Sequence, residues 1–165
     1  MRFVVVLILA VAMLVLHATV APRIAVWGVA PDLMVILVVQ LAFRLPRIEA
    51  LAWPWAAGLA VDLHDGGPAG VLALTYGLIA VAVDRLREFF FVESLMVQLA
   101  AVAAADLIQR LALLISQVLR GQAPSFMLFW KELFVGILYT VALGAVLLPL
   151  LSLALRRVLP RERRG

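Results

Sequence analysis

Two carboxylates and an imidazole lie within four residues of one another at the end of an apolar segment. The run reads Gly58-Leu-Ala-Val-Asp62-Leu-His64-Asp65-Gly66-Gly67. Such side chains can bind a divalent metal or perform general acid–base chemistry. A carboxylate in a bilayer costs about 2.5–3.5 kcal/mol, so it usually has a reason to be there. Because no fourth protein ligand is evident, we predict no metal site, and Gly66-Gly67-Pro68 predicts a tight turn.

A second polar group lies in a later apolar segment. On a helical wheel Asp106, Gln109 and Arg110 share one face with Gln98, Ser116 and Gln117. Asp106 precedes Arg110 by four residues, the favourable order for an ion pair on a helix. Lipid would exclude these side chains, so the stripe should face the bundle interior, an aqueous cavity or another protein. Two roles fit this pair: it either only locks the fold or has a function at that face.

Motifs of membrane enzymes are incomplete in this sequence. Asp62-x-x-Asp65-Gly66 resembles the start of the CDP-alcohol transferase motif, but the downstream Gly-x-x-x-Asp-x-x-x-Asp element is missing. The Gly-x-Gly-Asp sequence of intramembrane aspartyl proteases and a Gly-x-Ser-x-Gly elbow are missing too. We therefore predict a protein that is not an enzyme and uses no cofactor.

The elements that position these residues are long apolar segments. Of 165 residues, 66% are hydrophobic and 15% charged, and the mean hydropathy is +1.13. This composition predicts an all-α integral membrane protein, a bundle of six transmembrane helices. The predicted spans are 3–20, 31–43, 50–63, 71–83, 93–119 and 129–155, so that residues 1–155 form one membrane domain and 156–165 a basic cytoplasmic tail. Spans two to four are shorter than the ~20 residues of a perpendicular helix, as expected for protein-covered ends, broken helices or a thinned bilayer.

The cations indicate the topology. With six spans and a cytoplasmic amino terminus, ten arginines lie inside and three cations outside, namely Arg23, Arg120 and Lys131. This bias follows the positive-inside rule, so both termini are predicted to be cytoplasmic. The net charge of +4 is thus explained by topology, and no nucleic-acid partner is expected.

Two blocks carry a resemblance to a known family. They are Pro31-Asp32-Leu33 and Gly58-Leu59-x-x-Asp62-Leu63-x-x-Gly66-Gly67-x-x-Gly70, the second followed by Ala73-Leu74. With the chain's size, its short second and third spans and its basic tail, they make the sequence resemble the rod shape-determining MreD family of the bacterial inner membrane.

The resemblance implies a function and partners. MreD-like proteins are non-enzymatic scaffolds of the elongation machinery, or elongasome, which maintains cell shape and supports lateral peptidoglycan synthesis. They associate with MreC, a protein with one transmembrane helix, in an assembly that connects MreB filaments with RodA and a class B penicillin-binding protein. The fold is expected to be similar to the S components of energy-coupling factor transporters.

The polar outer end of the bundle is the predicted partner-binding site, comprising Asp32, Asp62, His64, Asp65, Gly66 and Gly67. Asp32 after Pro31 also suits the start of a helix. The alternative is a substrate-binding transport subunit that would enclose a vitamin-like solute at the same place. Its first span should carry Ala-x-x-x-Ala contacts, whereas the first span here is dominated by Val and Leu.

Overall fold

Six α-helices make up most of the computed structural model, which describes residues 2–65, 70–89, 94–122 and 124–158. They are α1 (Arg2–Thr19), α2 (Leu33–Arg44), α3 (Arg47–Asp65), α4 (Val71–Leu86), α5 (Leu95–Leu119) and α6 (Phe126–Val158). The predicted all-α class is confirmed, since those ranges contain no strand. Each helix corresponds to one predicted apolar segment.

Several helix boundaries differ from the prediction by one to three residues. Helix α3 begins at Arg47 rather than at residue 50, and α6 begins at Phe126 rather than at 129. Helix α6 also continues to Val158, so the first three residues of the predicted tail are helical. The rest of that tail, 159–165, lies outside the described residues.

The helices differ in their capacity to cross a membrane. Within the described ranges, α5 with 25 residues and the segment Phe126–Leu155 with 30 are long and apolar enough to do so. Helices α1 and α2 are apolar but shorter. The number of helices thus agrees with the sequence, while six membrane crossings stay a prediction.

Helix α2 is the centre of the bundle. Every residue from Leu33 to Phe43 is buried, and α2 contacts each of the other five helices. Its sequence is apolar on all sides, and a helix with that pattern is stable only when other helices surround it. Twelve residues give it a length of only about 18 Å. Both its ends therefore lie among other helices.

Side chains satisfy the two ends of α2. At its start, the Asp32 carboxylate accepts hydrogen bonds from the backbone N–H groups of Met34 and Val35, both at 3.0 Å. At its end, the Arg87 guanidinium donates to the carbonyl oxygens of Ala42, at 3.2 Å, and Leu45, at 2.8 Å. Unsatisfied backbone groups are expensive away from water, so these caps allow a short helix to end inside the bundle.

Glycines allow the outer helices to approach closely. A Cβ on Gly58 of α3 would lie 2.5 Å from the carbonyl oxygen of Leu72 and 2.6 Å from the Cα of Ala73 in α4. In the α5–α6 pair, Gly144 faces Leu99 and Val102. Small residues at such contacts are the usual means of helix association in lipid.

Candidate functional site

Asp62 caps the helix that follows it. Its carboxylate accepts hydrogen bonds from the backbone N–H groups of Gly70 at 2.9 Å, Leu72 at 3.1 Å and Ala73 at 3.1 Å. The residue is 3% exposed. These donors belong to the first turn of α4, which carries free N–H groups and a partial positive charge. Asp62 therefore joins the end of α3 to the start of α4.

Spacing explains why this connection forms. Gly58 and Asp62 are four residues apart and share one face of α3, so the close contact and the cap act on the same turn of α4. Gly70 precedes α4 with φ +99°, a left-handed conformation that favours glycine. Gly58, Asp62 and Gly70 all belong to the second sequence block described above. Together they build the connection between α3 and α4.

The remaining residues of the predicted binding site lie at the same turn. His64 is exposed near the end of α3. Asp65 is the last residue of that helix, and its side chain is outside the described part, as are Gly66 and Gly67. The partner-binding role of this turn stays a prediction.

Asp32 belongs to a different group of side chains. Besides capping α2, as predicted, it accepts a hydrogen bond from the amide of Gln109 in α5. Its backbone N–H donates to the hydroxyl of Thr140 in α6 at 3.1 Å. His17 of α1 places Nδ1 3.9 Å from the carboxylate, beyond hydrogen-bond distance. Within the part of the chain that the structure describes, Asp32 and Asp62 share no hydrogen-bond partner, so these two predicted site residues act separately.

The predicted ion pair of α5 is formed. Nε of Arg110 lies 3.0 Å from Oδ2 of Asp106, which is fully buried. The guanidinium covers Gly136 of α6, where any Cβ would overlap it. The α6 glycine thus provides the space in which Arg110 can remain beside its partner.

Together these residues form a polar cluster between three helices, α1, α5 and α6, and the start of α2. We define it as His17, Asp32, Asp106, Gln109, Arg110 and Thr140. Asp32 bonds to Gln109 and Asp106 bonds to Arg110, which are consecutive residues of α5. Oδ1 of Asp106 and Oε1 of Gln109 are buried without a hydrogen-bond partner in the described structure.

A second charged group, at the opposite end of the bundle, was absent from the sequence prediction. Asp84 of α4 is buried and pairs with Arg47 of α3 at 2.8 Å and with Arg87, which lies just after α4. Arg47 also approaches Glu88 at 3.8 Å. The spacing of Asp84 and Arg87, three residues apart, could have indicated their pairing, but not the capping of α2 by Arg87.

The buried polar and charged side chains mainly connect one helix to another. Among the residues that the structure describes, no group of three His, Cys, Asp or Glu side chains is placed to hold a metal ion. Asp62 and Arg87 bind backbone groups at helix ends, and Asp32, Gln109 and Thr140 connect three helices. Such an arrangement fixes the mutual positions of short helices.

An all-helical bundle with a buried polar cluster and two long apolar helices is the architecture of a helical membrane protein. The chain belongs to the MreD family, because the family model described as rod shape-determining protein MreD matches residues 1–158. The match confirms the resemblance found in the sequence and indicates a role in rod shape determination. No curated protein and no solved structure matches the chain, so the expected similarity to transporter S components has no support.

Proposed function

We propose that this chain is a non-enzymatic membrane scaffold of the bacterial elongation machinery, in which it binds MreC. The observation that carries the proposal is the family match over residues 1–158, nearly the whole chain. Within the assembly, the scaffold would connect MreB filaments with RodA and a class B penicillin-binding protein, and so support lateral peptidoglycan synthesis.

The contacts that the buried polar residues make support a role as a scaffold. Asp62, Asp84 and Arg87 are buried or nearly so, and their bonds attach one helix to another. A protein that presents a fixed surface to partners needs such rigidity, because binding to a preorganised surface costs less conformational entropy.

The distribution of charge supports a location in the inner membrane with both termini in the cytoplasm. Arg47 and Arg87 lie together at the end of the bundle where α2 ends. Asp32 and Asp62 lie at the other end, where α2 and α4 begin. Cations concentrate on the cytoplasmic side of membrane proteins, which supports a periplasmic location for the turn after α3.

The turn after α3 is our proposed contact for MreC. His64 is exposed there, whereas the Asp62 carboxylate is engaged with α4. Asp62 would therefore act on binding by holding the turn in shape, and His64 and Asp65 would offer the polar contacts. A partner with one membrane helix and a periplasmic domain can reach this end of the bundle.

Site-specific cross-linking tests the proposal. A photoreactive amino acid at His64 should cross-link to MreC in membranes that contain both proteins. The same residue at Met96, which is exposed near the opposite end of the bundle, serves as the matched control and should give at most weak cross-linking.

Different results would contradict the proposed contact at His64 and the proposed scaffold function. Equal cross-linking from His64 and Met96 would contradict the proposed contact. Failure of MreC to co-purify with the tagged chain, or tight binding of a vitamin-like solute by the purified chain, would contradict the scaffold itself.

A further inference from the structure

An open apolar groove of about 700 Å³ runs between α3 and α4 on the outside of the bundle. Its walls are apolar side chains of both helices, among them Leu51, Ala52, Trp55, Leu74, Leu78 and Val81. Gly77 lies at its side, and a Cβ there would be 3.3 Å from Cδ1 of Trp55. Bulky side chains of α3 and α4 thus lie on either side of the small residues Ala52 and Gly77, which leaves a groove between the two helices.

The groove is elongated along the helices. On α4 its lining residues Leu74, Leu78 and Val81 follow one another at intervals of four and three, which keeps them on one helix face. From Leu74 to Val81 this face extends about 10 Å along the axis. An open groove of this kind, lined by hydrocarbon, fits part of a flexible acyl chain.

A cation lies one helical turn beyond the groove residues of α4. Arg85 follows Val81 by four residues and so continues the same face of α4. It is exposed, and within the described residues it forms no ion pair. Helical side chains lean towards the amino terminus of their helix, so Arg85 leans towards the groove.

The neighbouring arginine differs from Arg85. Arg47 precedes Ile48 at the same end of the groove, but its guanidinium is paired with Asp84 and approaches Glu88. Arg85 is therefore the cation that is available for an external anion. An apolar channel that ends at an uncompensated arginine complements a molecule with a hydrocarbon chain and an anionic head.

We propose that this groove binds an anionic phospholipid, with an acyl chain between α3 and α4 and the phosphate at Arg85. The position of Arg85 at the basic end of the bundle agrees with the level of the lipid headgroups, where cations are favoured. A transmembrane helix of another protein is the competing occupant. Helix contacts in lipid depend on small residues and polar groups, whereas bulky Leu51, Trp55, Leu74 and Leu78 dominate these walls.

Quenching of Trp55 by brominated lipids tests the proposal. In a full-length variant with Trp27, Trp53 and Trp130 changed to Phe, Trp55 is the single tryptophan and reports on the groove. The protein is placed in mixed bilayers of phosphatidylglycerol and phosphatidylcholine, of which one or the other is brominated in its acyl chains. We expect phosphatidylglycerol to be preferred about fivefold, the factor expected for one cation at an anionic surface.

Matched variants identify the two parts of the site. Arg85→Gln should remove the preference, whereas Arg120→Gln, which neutralises an exposed arginine at the far end of α5, should leave it unchanged. Ala52→Phe should reduce quenching by both lipids because it fills the groove. Ala100→Phe, at an exposed position near the start of α5, should not.

Three results would overturn the proposal. They are equal quenching of Trp55 by the two brominated lipids, an unchanged preference in Arg85→Gln, and cross-linking of a partner's transmembrane helix from Ala52 in native membranes. Circular dichroism of each variant verifies that the helices are retained. The two quenching results do not bear on MreC binding at the turn after α3, which cross-linking from His64 tests separately, so the two proposals can fail independently.

Discussion

Replacing Asp62 by Ala should destabilise the bundle strongly. The change removes the acceptor of three backbone N–H groups at the start of α4. It leaves the α3–α4 contact at Gly58 in place, since that contact involves backbone and small residues. The loss can therefore be attributed to the cap.

The magnitude follows from the burial of the three donors. Leu72 and Ala73 are buried, so their N–H groups lose a partner where water cannot easily replace it, at a cost of about 1–3 kcal/mol each. Loss of the charge at a helix amino terminus adds about 0.3–1 kcal/mol, and up to 2 when partly buried. Allowing for relaxation of the turn, we expect the free energy of unfolding to fall by about 3–5 kcal/mol.

Asp62→Asn should cost less, about 1–3 kcal/mol, because the amide oxygen can still accept a hydrogen bond but carries no charge. Unfolding of the purified protein in mixed micelles, with increasing SDS and followed by tryptophan fluorescence, measures both changes. Glu132→Ala is the control, since Glu132 is exposed at the start of α6.

The expected order of stability is wild type and Glu132→Ala, then Asp62→Asn, then Asp62→Ala. A loss below about 1 kcal/mol for Asp62→Ala would refute the capping argument, because it is smaller than the cost of a single unsatisfied buried donor. Weakened MreC binding at unchanged stability would instead assign Asp62 to direct contact with the partner.

Two further predictions concern the other charged residues. Asp106→Asn should cost about 3–5 kcal/mol by leaving Arg110 unpaired, and adding Arg110→Gln should restore part of it. A double-mutant cycle in detergent that gives no coupling energy would reject the pairing. Arg87→Gln should destabilise by about 2–4 kcal/mol, since it removes the cap of α2 and the pair with Asp84. Arg85→Gln, two residues away and exposed, should change stability by less than about 0.5 kcal/mol, and similar losses for both would contradict this assignment.

Local features of the sequence predicted the helices and the interactions within or beside one helix. Six apolar segments gave six helices, because hydrophobic runs are read directly from neighbouring residues. The pairing of Asp106 with Arg110 followed from their spacing of four, since the helix repeat alone brings such residues together. Asp32 was predicted as a helix cap for the same reason, as its partners are two and three residues away.

Interactions between residues far apart in the sequence could not be predicted from hydrophobic runs or helix spacing. Gln109 binds Asp32 from 77 residues away, and Arg87 binds the carbonyls of Ala42 and Leu45 from 45 and 42 residues away. No period or spacing in the sequence specifies such partners. They depend on which helix faces are turned towards each other.

The sequence by itself determined that the chain is a helical bundle of the MreD family and that charged residues lie among its apolar segments. Only the tertiary structure decided what those residues bind. The close approach at Gly58 brings the start of α4 over Asp62, and the carboxylate grouped in sequence with His64 and Asp65 became the cap of the next helix. The physical reason is that a helix end away from water must find its hydrogen-bond partners in whichever helix packs beside it.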